Sequence, residues 1–153
     1  RQVPPVVISN LTYPNPQTTT EAQFSLHFAI AAIIEYGDIK LEHLTTEMVS
    51  SAPIKRLLPK IDVKVGDIPE PYRSSRLICP EWGYVELTTQ AGDRKCSFVG
   101  SPLGSALRPM SDEVLHKKFN ACAEYGSVNG SASALYDKIL NVELLKNTRE
   151  LFS

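Results

Sequence analysis

The chain has 153 residues, enough for one domain of ordinary size with its own core, and 42% of them are apolar. Its net charge of -1 gives no electrostatic case for nucleic acid, whose phosphates call for a clear basic excess. No run approaches the roughly 18 uninterrupted apolar residues of a membrane span; the longest, Phe28 to Ile34, stops at Glu35.

Cys79, Cys96 and Cys122 are widely spaced and form no CxxC, so neither a disulfide framework nor a zinc site is expected. Reduced thiols fit an intracellular protein, of cytoplasm or mitochondrion. The opening Arg1-Gln2-Val3-Pro4-Pro5 lacks an initiator Met, and the chain is expected to begin inside a longer polypeptide.

In chain order, the β-branched Val6-Val7-Ile8 predicts a strand. Leu11 to Gln17, with Pro14, Asn15 and Pro16, predicts a loop. Thr18 to Thr20 offer N-caps for a helix over Glu21 to Tyr36, with Gly37 at its C-cap. On that helix Phe24 and Phe28 share a face, and Ile30, Ile33 and Ile34 widen it, so burial on more than one side is expected. Leu41 to Leu58 predicts two short helices broken near Ser51-Ala52-Pro53. Ile61, Val63 and Val65 alternate with Asp62 and Lys64, the period of a strand. Tyr84 to Thr89 and Lys95 to Val99 flank Ala91-Gly92-Asp93, a hairpin signal. Gly100 to Met110 reads as a loop.

Ser111 then caps a helix with Asp112 and Glu113 in its first turn, ending at Gly126. Asn129 to Ser133 is a break, and Ala134 to Phe152 a last helix. The sum is an α+β fold: an antiparallel sheet of about four strands, with helices packed mainly on one face. The expected division is residues 1–126 as one α+β domain and 127–153 as a C-terminal helical segment.

The common catalytic templates are absent: no GxSxG, P-loop, GxGxxG or HExxH. His27, His43 and His116 lack metal-ligand spacing, so no metal is expected. His27 reads either as a general acid/base or as a structural helix residue; His43 and His116, among charged residues, read as surface groups. Lys55-Arg56 and Lys117-Lys118 read as solvated faces. Ser25 lies inside the expected helix without an evident base to activate it. Trp82 and Tyr84 read as packing.

Two stretches resemble one known family. Glu21-Ala22-Gln23-Phe24-Ser25-Leu26-His27-Phe28, followed by Ala29-Ile30-Ala31-Ala32 and Gly37, resembles the EAxFSLxY helix of the MmgE/PrpD family. Arg108-Pro109-Met110-Ser111, then Leu115 and Lys118-Phe119, resembles that family's NPxSxxxLxxKF element. The family includes 2-methylcitrate dehydratase, cis-aconitate decarboxylase and iminodisuccinate epimerase. The resemblance implies a lid-type α+β domain that closes over a small polycarboxylate, with most catalytic groups in an upstream helical domain absent here. No cofactor is implied. Expected partners are that substrate and that domain, with a homodimer as one option, and neither nucleic acid nor membrane. This chain alone is expected to be inactive. Substrate-facing candidates are Ser25, His27, Phe28 and Arg108, although Phe28, where the family commonly has tyrosine, has no hydroxyl to donate. Arg108 reads either as a carboxylate ligand or as a surface residue. The alternative to a lyase or isomerase domain is a non-catalytic α+β binding module.

Overall fold

Two prolines decide how the chain opens. In the computed structural model, which describes residues 2–74, 78–126 and 131–152, the strand β1 is Gln2–Val3 and a helix α1 follows over Pro5–Asn10. The strand expected at 6–8 is therefore helical. Pro5 fills the first helical position, where its missing N–H is no loss and its fixed φ suits a helix. That local start outweighs the β preference of Val6, which is 37% exposed and has no sheet partner to reward it.

The sheet adds β2 (Lys64–Val65), β3 (Gly83–Thr88) and β4 (Arg94–Val99), in the order β2-β1-β3-β4. The β3–β4 hairpin pairs Gly83 with Val99 through to Thr88 with Arg94, as its sequence signal predicts. Gly92, at a φ of 90°, takes the left-handed position of its turn, and Thr89 Oγ1 accepts from the Asp93 N–H at 3.1 Å. Glu86 accepts a charge-assisted hydrogen bond across the hairpin from Arg94. The sheet is mixed rather than purely antiparallel, because β1 pairs β2 in parallel, Gln2 opposite Lys64. A parallel pair needs a long crossover, and the helices between β1 and β2 supply it. Of the alternating 61–65 stretch only Lys64–Val65 is strand; Ile61 is 8% exposed and belongs to the helical core.

Thr18 Oγ1 accepts from the Glu21 N–H at 3.2 Å and starts α2 (Thr19–Gln23). The single helix expected over 21–36 then breaks at Phe24. Ser25, in extended backbone, begins α3 (Leu26–Tyr36) by accepting the Phe28 N–H on its hydroxyl at 3.0 Å. A serine side chain competes with the helix ladder in this way, and N-capping is where it competes best. Gly37 closes α3 at a φ of 81°. The break separates two phenylalanines expected to share a face. Phe28 is 0% exposed, whereas Phe24 is 49% exposed.

Beyond a 3-10 turn at Leu41–His43, Thr45 caps α4 (Thr46–Val49), and α5 (Ala52–Leu57) begins with Pro53 in its first turn. The break expected at 51–53 falls there. Around Phe28 gather Ala22, Ala31, Ala32, Val49, Ile54, Leu58 and Ile61, all from α2–α5 or the segment running on to β2. The helices thus build a core among themselves. At the sheet, Tyr72 stacks on Phe98 at 4.5 Å and Trp82, 6% exposed, lies 6.0 Å from the same ring, the packing role its sequence position suggests.

The chain divides into two compact units, 1–109 and 110–153. In the second, Ser111 accepts the Val114 N–H at 3.4 Å and starts α6 (Asp112–Tyr125). Ser131 caps α7 (Ala132–Leu140), and the expected break before it falls partly on residues outside those described. The helix expected to run to residue 152 ends at Leu140, where the Asn141 side chain donates to the Asp137 carbonyl at 2.8 Å. Two 3-10 turns follow, Val142–Leu144 and Thr148–Phe152. His116 and Phe119 of α6 hold the buried Tyr136 of α7 between their rings, at 4.5 and 5.2 Å.

The two phenylalanines give a direct test. Phe28→Ala should cost about 3–5 kcal/mol, the range for truncating a core aromatic, and Phe24→Ala less than about 1 kcal/mol, as for a surface change. Ser25→Ala should cost about 1 kcal/mol for the lost cap. Denaturant melts of the three variants check the order, and a Phe24 cost above that of Phe28 contradicts the break at Phe24.

Candidate functional site

Within the first unit a cleft of about 640 Å³ is lined by Pro14, Asn15, Gln17, His27, Lys55, Leu58, Pro59 and Ile61. Each wall is placed by local chemistry. The loop wall is ordered from its far end: Glu21 accepts the Gln17 N–H at 2.6 Å, and the Gln17 amide donates to the Asn15 carbonyl at 3.0 Å. His27 stands in the first turn of α3, a position fixed by the Ser25 cap. Lys55 stands near the start of α5, where its N–H closes the first turn on the Ser51 carbonyl at 3.0 Å. Leu58 and Ile61 present the outer edge of the core as an apolar floor.

Charge around the cleft is unevenly neutralised. Arg56, next to Lys55, pairs with Glu35 at 3.5 Å. Lys64 pairs with Asp62 at 2.9 Å. The Lys64 hydrogen bond holds the Asp62 carboxyl below its ordinary range, and the charge of His27 adds a smaller pull in the same direction. Lys55 forms no ion pair with a described residue. A cation without a carboxylate, two amide-bearing residues, an imidazole and an apolar floor make a surface suited to a small organic anion.

Of the four residues singled out from sequence, His27 alone lines this cleft. Ser25 is 2% exposed, and its hydroxyl is engaged by the Phe28 N–H, so it positions α3. Phe28 is sealed in the core. Arg108 is exposed in the loop after β4, where its N–H donates to the Ser105 carbonyl at 3.0 Å and its carbonyl accepts from Gly104 at 2.8 Å.

The residues missed were Asn15, Gln17 and Lys55. Asn15 and Gln17 sat in a segment legible only as loop, and Lys55 in a dipeptide that reads as solvated charge. The contrast between Lys55 and Arg56 depends on Glu35, 21 residues away from Arg56, and no local signal carries it.

Two histidines depart from their expected surface placement. His43 is 7% exposed; its Nδ1 accepts the Lys40 N–H at 3.1 Å, closing the 3-10 turn, and its ring lies 4.8 Å from Tyr36. His116 is half-buried against Tyr136, within 3.3 Å of the Asn120 amide. The three cysteines are free thiols. Among the described residues no group of His, Cys, Asp and Glu is placed to hold a metal ion, and no helix is long and apolar enough to cross a membrane.

His43→Ala should therefore destabilise the first unit by about 1–2 kcal/mol, through the lost acceptor for a backbone N–H and the lost ring contact. Thermal or denaturant melts measure it. An unchanged midpoint would return His43 to the surface role its neighbours suggest.

Comparison with known proteins adds one positive finding. No curated protein matches the chain, but the family model of the MmgE/PrpD C-terminal domain matches residues 2–141.

Proposed function

The chain belongs to the MmgE/PrpD family, as its C-terminal domain, and we propose that it serves there as the lid of a cofactor-independent lyase or isomerase acting on a small polycarboxylate. The observation that carries this reading is the cleft, which His27, Lys55, Asn15 and Gln17 line together. Reactions next to a carboxylate, whether dehydration, decarboxylation or epimerisation, turn on proton transfer while negative charge builds on the substrate. An imidazole can carry that proton near neutral pH, and a nearby ammonium lowers the cost of the charge.

The position is informative in itself. The resemblance puts tyrosine where this chain has Phe28, and Phe28 is enclosed by apolar side chains with no proton to give. The titratable group at this turn is His27, one residue earlier and lining the cleft. In this reading the lid contributes His27 as a proton carrier and the cleft as a seat for carboxylate. The remaining acid/base groups come from the upstream helical domain. Closing the lid excludes water and so strengthens the electrostatic contacts inside.

The test uses the longer polypeptide that joins this domain to its helical partner. His27→Ala should lower kcat/KM on a polycarboxylate substrate by about 100-fold or more, the scale of a lost general acid or base, with the denaturation midpoint nearly unchanged. The 153-residue chain alone should turn over neither 2-methylcitrate nor cis-aconitate above a blank. Normal kinetics with a lowered midpoint in His27→Ala would assign that residue to the fold, and turnover by the chain alone would overturn the lid reading.

A further inference from the structure

Ile61 marks the place where the helical core hands over to the sheet. Its N–H closes a 3-10 turn over Leu58–Lys60 on the Leu58 carbonyl at 3.1 Å, and its own backbone is already extended. From there the side chains alternate. Ile61 lies in the core and Val63 packs against it, while the Asp62 and Lys64 side chains face solvent, 69% and 68% exposed. Two residues apart on one side of the chain, they pair at 2.9 Å. The anchor that fixes this pair also belongs to the cleft, because Ile61 lines it together with His27. Asp62 is thus held one residue beyond a cleft wall.

The Asp62 carboxyl answers to two cations. The Lys64 hydrogen bond is the larger influence on it, and the charge of His27 reaches it as well. Such an interaction is mutual: a carboxylate that feels an imidazolium stabilises that imidazolium by as much. Lys64 and the cleft-lining Lys55, being like charges, act on the imidazole in the opposite sense.

We propose that Asp62 is a positioning residue for His27: its carboxylate holds the proton on the cleft imidazole, and Lys64, by engaging the same carboxylate, sets how firmly. The role of His27 as proton carrier rests on the lid reading, whereas the electrostatic link between the two residues is a property of this chain. Lys64 belongs to β2, the edge strand that pairs with β1. The sheet therefore reaches the proton-carrying side chain through one ion pair. Both partners of that pair are exposed, so water and salt screen the link and keep it modest.

An NMR titration of the histidine side chains in the 153-residue chain tests it. Asp62→Asn should lower the His27 midpoint by about 0.3 pH unit, the scale of an exposed ion pair. Lys64→Gln should raise it, because the carboxylate is released and a like charge is removed. Both changes should shrink at about 1 M salt, where the screening length is short. His43 and His116 serve as internal controls that neither substitution moves. The substituted side chains are solvent-facing, so the variants keep the fold, and the spectra themselves report that. An unmoved His27 midpoint in Asp62→Asn, shifts of one sign in both variants, or equal shifts at His43 and His116 would each overturn the proposal. In the longer polypeptide, Asp62→Asn should move the His27 limb of the pH profile of kcat/KM in the same direction, and Asp62→Glu should restore it. A His27 midpoint that responds to Asp62, in a polypeptide that turns over no polycarboxylate, would keep the link and remove the lid reading. Turnover that needs His27, with an unmoved profile in Asp62→Asn, would keep the lid reading and remove the positioning role.

Discussion

A single hydrogen bond, from the Phe28 N–H to the Ser25 hydroxyl, sets the geometry on which the rest of the first unit depends. It ends one helix register and begins another. Without it, an uninterrupted helix from α2 into α3 would place Phe24 and Phe28 one above the other on one face. With it, Phe28 turns wholly inward, Phe24 turns out, and His27 takes its place on the cleft. The bond is itself 2% exposed at the serine, so no water competes for it. Its loss would leave a buried donor unpaired as well as a helix uncapped.

The core then explains why the cleft can be both apolar and charged. Phe28, Ile54, Leu58 and Ile61 form one cluster, and α5 carries Ile54 inward and Lys55 outward in consecutive positions. The same helix thus supplies a packing residue and a cleft-lining residue through its 3.6-residue period. Ion pairing decides which cations remain available. Glu35 of α3 reaches Arg56, and Asp62 reaches Lys64, while Lys55 lines the cleft together with Asn15 and Gln17. Such exposed pairs add little to stability. Their consequence here is local, because they leave Lys55 without a carboxylate from a described residue.

Much of this was legible in the sequence, and the failures have physical causes. The hairpin was, because Gly92 allows a left-handed turn between two β-rich runs. So were the caps at Thr18, Ser111 and Gly37, where local side-chain chemistry decides. The family was legible from two spaced motifs, and the match over residues 2–141 confirms it. The 6–8 stretch reads as a strand but folds as helix, because β-branching promises a strand only when a neighbour is there to pair. The parallel β1–β2 pair was hidden because a two-residue strand carries no period, and its partner lies a full crossover away. Ser25 reads as an interior helix residue because apolar spacing continues across it, whereas it caps α3. His27 emerged from the motif; Lys55 did not, because its meaning depends on which of two neighbouring cations finds a carboxylate.

The central claim, that the Ser25 cap turns Phe28 into the core and leaves Phe24 outside, is open to one direct measurement. An aromatic-to-methyl NOESY spectrum of the chain should show the Phe28 ring against the methyls of the core cluster, above all Val49 and Ile54. The Phe24 ring should show none to that pair. Strong cross-peaks from Phe24 to Val49 and Ile54 would mean an unbroken helix, and would contradict the placement of both Phe28 and His27.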